Sequence, residues 1–190
     1  LLMHFLLPFK GVESAKSRWS ELGTKRHHLV LQILRQNLNT VASVVGSQNV
    51  FLVTPDPSEV LSDLPILKVD GKGLNRDLCQ AHEILTAQTE VSQLGVLLPD
   101  LPALVAADIQ SVISALQEKP VVLCPDREDF GTNALAMRPT GILDFLFEGA
   151  SFSRHSKACQ TVGLDYAVVR TEGLAHDCDS VKDLESFCLL

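Results

Sequence analysis

The sequence predicts an α/β fold in which a mostly parallel, mixed sheet is flanked by helices. Short apolar runs of strand length alternate along the chain with longer segments of helical periodicity, which is the pattern of a parallel sheet covered on both sides. Several of these runs are apolar without interruption, as expected for strands buried on both faces. The 190 residues, 46% of them hydrophobic, suffice for one sizeable core. We therefore expect a single domain over residues 1–190.

Seven short runs predict the strands of this sheet. They are Met3–Leu7, Val50–Thr54, Ile66–Val69, Leu94–Leu98, Val121–Cys124, Ala134–Met137 and Asp165–Val169. Most are separated by a helical segment and are therefore expected to run parallel. The sixth run follows the fifth after a short polar loop that contains Gly131, so we expect it to be an antiparallel insertion.

Four segments have the spacing of amphipathic helices. They are Lys25–Val45, Leu74–Thr86, Ala106–Glu118 and Ser151–Val162. In the first segment, apolar residues recur three or four positions apart, from Leu29 to Val41, and predict one buried face. Asp108 lies near the start of the third segment, where a carboxylate stabilises the helix dipole.

Composition excludes several classes of protein. The net charge of −7 and the pI near 5.3 argue against a general nucleic-acid or anionic-membrane surface, because such surfaces need excess Lys and Arg. No apolar run reaches the roughly 18 residues that a membrane-spanning helix needs. The five cysteines are odd in number and form no C-x-x-C pair, which favours reduced thiols over disulfides or a zinc site. These features predict a cytoplasmic protein that binds neither nucleic acid nor membrane.

A basic cluster follows the first predicted strand. Lys10, Lys16, Ser17 and Arg18 supply three cations and a hydroxyl where a loop leads into a helix. Charge and the free N–H groups of a helix start are suited to holding a triphosphate. Lys16 and Arg18 are also expected to act in catalysis by offsetting the repulsion between anionic substrates. The alternative is a solvated basic helix face.

Three aspartates follow other predicted strands. Asp100 comes after Leu94–Leu98, and Asp177 and Asp179 stand two residues apart after the last strand. In an extended segment both of the latter carboxylates point to the same side, so the three together are expected to bind one Mg²⁺. Alternatively, Asp100 is a turn or N-cap residue, and Asp177 and Asp179 cap a helix over Val181–Phe187.

The loop before the sixth strand carries short polar groups. Gly131 lets the backbone approach a ligand closely, and Thr132 and Asn133 offer hydrogen-bonding side chains, although the same pattern also describes a plain hairpin. His155 and His176 stand near these candidates. For both histidines we favour a structural role over a role as metal ligand or general base.

Five motifs together give the chain a family resemblance. They are Pro8-Phe9-Lys10, Ala15-Lys16-Ser17-Arg18, Gly73-Leu74-Asn75, Asp100-Leu101-Pro102 and Gly131-Thr132-Asn133-Ala134-Leu135. In this order they resemble the 2-phospho-L-lactate guanylyltransferase family of deazaflavin coenzyme F-420 biosynthesis. The resemblance runs from about Leu6 to Leu184, and the last motif is its most specific element.

The resemblance implies a Rossmann-related, GT-A-like nucleotidyltransferase fold and a Mg²⁺-dependent reaction. GMP from GTP would be joined to 2-phospho-L-lactate, phosphoenolpyruvate or 3-phosphoglycerate, with release of pyrophosphate. It also implies that Gly73 and Asn75 lie beside the base or ribose of GTP. Thr132, Asn133, Gly149 and Ser151 would bind the acceptor. A homodimer and a downstream coenzyme-assembly transferase are left open as further partners.

One position departs from the family pattern. Glu148 stands where the family usually has glycine, three residues before Ser151, and the glycine follows at Gly149. An acid aimed at an anionic acceptor would repel it, so either Glu148 points away or the acceptor differs. Two other functions stay open: another nucleotidyltransferase of this fold, acting on a molybdenum cofactor or a sugar phosphate, and a non-catalytic nucleotide-binding protein.

Overall fold

The computed structural model describes residues 2–11, 24–59, 63–178, 183 and 187. Within them, seven strands form one sheet. The strands are β1 (Met3–Pro8), β2 (Val50–Thr54), β3 (Ile66–Lys68), β4 (Gln93–Leu97), β5 (Val121–Pro125), β6 (Thr132–Met137) and β7 (Tyr166–Val168). All seven coincide with predicted strands, and the α/β class is confirmed.

The sheet has the order β3-β2-β1-β4-β6-β5-β7. Strands β3, β2, β1 and β4 are parallel neighbours, and β5 pairs with β7 in parallel. Strand β6 lies between β4 and β5 and runs antiparallel to both. The expectation that this strand is an antiparallel insertion is therefore correct. Its position places the start of β6 beside the end of β4.

Helices cover both faces of the sheet. They are α1 (Thr24–Val45), α2 (Leu74–Gln88), α3 (Ala106–Glu118), α4 (Ser151–Thr161) and α5 (Glu172–Ala175). The first four match the predicted helices to within two residues at either end. Helix α5 was not predicted, because four residues are too few to show helical periodicity. The predicted helix over Val181–Phe187 lies largely outside the described residues.

The core has two layers, one on each side of the sheet. Helices α1, α3 and α5 supply residues such as Leu34, Leu116 and Leu174 to one layer. Helices α2 and α4 supply residues such as Leu78 and Cys159 to the other. Each fully buried leucine contributes about 1.5 to 3 kcal/mol to the free energy of unfolding. No helix among the described residues combines the length and the apolar character that crossing a bilayer requires.

Candidate active site

The backbone brings two of the predicted metal-binding aspartates together. The Cys178 backbone N–H donates a hydrogen bond to the Asp100 carbonyl oxygen at 2.9 Å. Asp177, the residue before Cys178, therefore lies beside the loop that follows β4. Both aspartates are half-buried.

Carboxylates suit Mg²⁺, which prefers oxygen ligands and keeps several positions for water and substrate phosphates. In the described part of the chain, no group of three or more His, Cys, Asp or Glu side chains forms a metal-binding cluster. Asp179, the third predicted ligand, lies outside the described residues. The structure thus brings the backbone of the other two predicted ligands, Asp100 and Asp177, together.

Helix α5 holds the Asp177 segment against the sheet. The Thr171 hydroxyl caps the helix by accepting from the Leu174 N–H at 3.3 Å. The Asn133 Nδ2 donates to the Leu174 carbonyl at 2.9 Å. Gly173 packs so closely on the Asp108 carboxylate that a β-carbon there would collide with it. These contacts fix the backbone that leads to Asp177.

A β-bulge sets the directions of Thr132 and Asn133. Cys124 pairs with Ala134, but Pro125 pairs with Thr132, so Asn133 is an extra residue in β6. Strict alternation would place Thr132 on the side of Ala134, which faces α3 and α5. The bulge instead turns Thr132 towards α4 and Asn133 towards α5, as bulges beside active sites commonly do.

On the α4 side, Thr132, Ser151 and His155 form a buried hydrogen-bonded cluster. The Thr132 Oγ1 lies 3.1 Å from His155 Nδ1 and 3.2 Å from the Ser151 Oγ. All three side chains are at most 2% exposed. The structure therefore joins two of the predicted acceptor-binding residues, whereas Asn133 faces the Asp177 segment.

His155 is held in its neutral form. Burial lowers its pKa to about 4, with a further decrease from the Arg154 charge and a partial offset from a hydrogen bond with the Ser151 backbone. Its ring meets the Phe147 ring edge to face at a centroid distance of 5.1 Å. A buried neutral imidazole suits a structural or orienting role, as favoured from the sequence.

The predicted nucleotide-binding and acceptor-binding turns are neighbours. The Phe147 N–H donates to the Asn75 Oδ1 at 2.8 Å. The Glu148 carboxylate lies over Gly73, with its Oε1 at 3.9 Å from where a β-carbon on Gly73 would stand. Glu148 is thus directed towards the start of α2. Gly149 has a φ of 61° and accepts from the Ser151 N–H through its carbonyl at 2.7 Å.

The predicted phosphate-binding cluster is described only in part. Leu6 pairs with Val96 in the parallel β1–β4 ladder, and Lys10 and Asp100 each follow this pair by four residues. Lys10, which is exposed, and Asp100 therefore both follow the carboxyl ends of neighbouring parallel strands, at the same number of residues beyond the paired positions. Lys16, Ser17 and Arg18 lie outside the described residues.

Some site features were not apparent from the sequence. From the sequence, Gly131 is expected to let the backbone approach a ligand closely. In the structure its neighbour is the Asp126 carboxylate, which accepts a hydrogen bond from the Gly131 N–H at 2.6 Å. This carboxylate leaves no room for a β-carbon at position 131. The roles of Asn133 and Gly173 in supporting Asp177 also went unpredicted. The only signal for the bulge was Pro125, since proline in a strand commonly marks an irregularity.

The match to a family model decides the family. The model described as "Guanylyl transferase CofC like" matches residues 3–189. The chain belongs to this family. It is therefore a nucleotidyltransferase of guanylyltransferase type, as the motif resemblance predicted.

Curated relatives agree with the family model. The chain is 34% identical over 187 residues to a phosphoenolpyruvate guanylyltransferase of Sphaerobacter thermophilus, with 95% of this chain and 89% of the relative covered. It is 30% identical over 190 residues to a 2-phospho-L-lactate guanylyltransferase of Methanopyrus kandleri, with 99% and 92% covered.

A solved structure confirms the architecture. A nucleotidyl transferase from Methanothermobacter superimposes with a TM-score of 0.73, covering 99% of this chain and 98% of that one. At 14% sequence identity the likeness concerns the fold alone.

Proposed function

We propose that this protein joins GMP from GTP to a small phosphorylated carboxylic acid and releases pyrophosphate, as a step of coenzyme F-420 biosynthesis. The observation that carries the proposal is the backbone hydrogen bond from the Cys178 N–H to the Asp100 carbonyl, because it brings the chain at Asp177 next to Asp100 at the end of β4. The names of the relatives support phosphoenolpyruvate and 2-phospho-L-lactate as acceptors, and 3-phosphoglycerate is the third candidate. GTP and these acids are cytoplasmic metabolites, so we place the reaction in the cytoplasm.

The reaction is an in-line displacement. An acceptor phosphate oxygen forms a bond to the α-phosphorus of GTP, and the bond from that phosphorus to the bridging oxygen breaks. The electron pair leaves with pyrophosphate. A phosphate nucleophile is ionised at neutral pH and needs no general base, which agrees with the neutral, fully buried state of His155.

The residues of this chain act mainly by binding and orientation. Asp100 and Asp177, with Asp179, would hold Mg²⁺, which when bound offsets the charge of the reacting phosphates. Lys10, Lys16, Ser17 and Arg18 would bind the triphosphate. Gly73 and Asn75 would contact the nucleoside, and Thr132, Gly149 and Ser151 the acceptor. Holding two anions in line supplies most of the catalysis.

Asn133 has a different part in this scheme from the one its motif implies. Its side-chain amide donates a hydrogen bond to the Leu174 backbone carbonyl. Its backbone carbonyl accepts a hydrogen bond from the Leu98 N–H at 2.9 Å. Leu98 leads to Asp100, and Leu174 leads to Asp177. We therefore propose that Asn133 supports the two carboxylates and does not contact the acceptor.

A substrate grid tests the proposed function. Pyrophosphate release is measured with Mg²⁺ for GTP, ATP, CTP and UTP, each crossed with the three phosphorylated acids. We expect release with GTP and at least one acid. Folded protein that releases no pyrophosphate in any combination would overturn the proposal, as would a clear preference for another nucleotide.

A further inference from the structure

The hydrogen-bond directions in the Thr132 cluster are determined by one backbone group. The Leu146 N–H points at His155 Nε2, with a nitrogen-to-nitrogen distance of 3.0 Å. A backbone N–H only donates, so Nε2 must be the acceptor. In a neutral imidazole the hydrogen then resides on Nδ1, and Nδ1–H is shared between the Thr132 Oγ1 and the Ser151 backbone carbonyl.

This donation leaves the cluster with a spare hydrogen. Thr132 and Ser151 share one hydrogen bond, whichever hydroxyl donates it. Since Nδ1 carries a hydrogen and cannot accept one from Thr132, one of the two hydroxyl hydrogens has no use inside the cluster. Among the described residues, no group accepts it. The pair is therefore a net hydrogen-bond donor.

The surroundings make this donor suited to an anion. Thr132 and Ser151 are 2% and 1% exposed, so bulk water does not compete for the spare hydrogen. The pair lies where β6 begins and α4 starts, and the first N–H groups of a helix favour negative charge. The Ala150 N-cap forms no side-chain hydrogen bond to the helix.

We propose that His155 is a positioning residue, whose Nδ1–H orients the Thr132–Ser151 hydroxyl pair to donate one hydrogen bond to the anionic group of the phosphorylated acid. This inference rests on the proposed function and adds a determinant of acceptor affinity to it. His155 itself touches neither substrate. Its Nε2 bond to Leu146 fixes the tautomer, and the tautomer fixes the direction of donation.

Two substitutions separate the two ring nitrogens. His155→Asn keeps an amide donor near the position of Nδ1 and loses the acceptor for Leu146. His155→Gln keeps an acceptor near the position of Nε2 and loses the donor to Thr132. Steady-state kinetics are measured for both variants, with the acceptor and GTP varied in turn.

We expect His155→Gln to raise the KM for the acceptor by about tenfold, the effect of one hydrogen bond, with the KM for GTP unchanged. His155→Asn should keep the wild-type acceptor KM, although both variants lose thermal stability. Equal acceptor KM values in the two variants, or parallel rises for acceptor and GTP, would overturn the inference. Wild-type protein that turns over no acceptor would instead overturn the proposed function.

Two further measurements keep the inference testable if the variants fold poorly. Thr132→Val should raise the acceptor KM, and adding His155→Gln to it should change the KM little further, because His155 acts through Thr132. Independent effects would contradict this. Nitrogen-15 NMR of the wild-type imidazole should show Nδ1–H at neutral pH, and an Nε2–H tautomer would overturn the inference without reference to activity.

Discussion

Replacing Asn133 by alanine tests how the site is supported. The change removes the hydrogen bond from Nδ2 to the Leu174 carbonyl and leaves that carbonyl, on a residue that is 0% exposed, without this donor. A buried group that loses its partner costs about 1 to 3 kcal/mol. For a domain of this size, that cost corresponds to a decrease in Tm of about 2 to 10 °C.

The same change should weaken metal use. Without the Asn133 amide, the α5 segment that precedes Asp177 is less firmly held against the sheet. If about 1 kcal/mol of the loss falls on metal binding, the Mg²⁺ concentration for half-maximal pyrophosphate release rises by about fivefold. The assay is a Mg²⁺ titration of pyrophosphate release at saturating GTP and acceptor.

Asn49 provides the matched control. It is 2% exposed, and its Nδ2 donates to the Val45 carbonyl at 2.6 Å. Asn49 comes just before β2 begins, so it lies at the amino ends of the parallel strands, whereas Asp100 lies at their carboxyl ends. Asn49→Ala should lower the Tm by the same amount or less, because Val45 is half-buried, and should leave the Mg²⁺ dependence unchanged. If Asn133→Ala lowers the Tm but keeps the wild-type Mg²⁺ dependence, the support that we assign to Asn133 is wrong.

Two further predictions concern stability. In Gly173→Ala, the new β-carbon would collide with the Asp108 carboxylate and stand 2.9 Å from the Ala103 carbonyl oxygen. We therefore expect this overpacking to lower the free energy of unfolding by about 1 to 3 kcal/mol. Thermal unfolding measures the loss, and an unchanged Tm would contradict this packing. For pH, burial lowers the pKa of His155 from 6.5 to about 4, so the unfolded chain takes up the proton first and stability falls as the pH drops from 6.5 towards 4. This loss of unfolding free energy is about 3 kcal/mol at most, and it should be smaller in His155→Asn. Chemical denaturation at several pH values measures it. Equal losses in wild type and variant would refute the assignment to His155.

The sequence predicts the layers of the fold well, for a simple physical reason. Buried strands such as β2 and β4 must be apolar on both faces, and this requirement leaves uninterrupted runs such as Val50–Thr54. The amphipathic helices are equally visible, because one face of each must cover the sheet. Helix α5 leaves no such trace, since its four residues are ordered by contacts with Asn133 and Thr171.

The site was predictable as a set of residues and not as an arrangement. Positions after predicted strands and the family resemblance identified Asp100, Asp177, Thr132 and Ser151 as candidates. The side chain of Asn133 faces the Asp177 segment only because a bulge opposite Pro125 breaks the alternation of β6. Such a register shift depends on pairing between two strands, which a single strand's sequence does not specify.

The most direct test of the central claim is to identify the product by mass spectrometry. Wild-type protein is incubated with GTP, Mg²⁺ and phosphoenolpyruvate or 2-phospho-L-lactate, in parallel with Asp100→Asn and with Asp165→Asn as control, since Asp165 is an exposed partner of Lys119. We predict a diphosphate diester of guanosine and the acid with wild type and Asp165→Asn, and at least a hundredfold less with Asp100→Asn. Equal product from Asp100→Asn, or no diester from folded wild-type protein, would contradict the account.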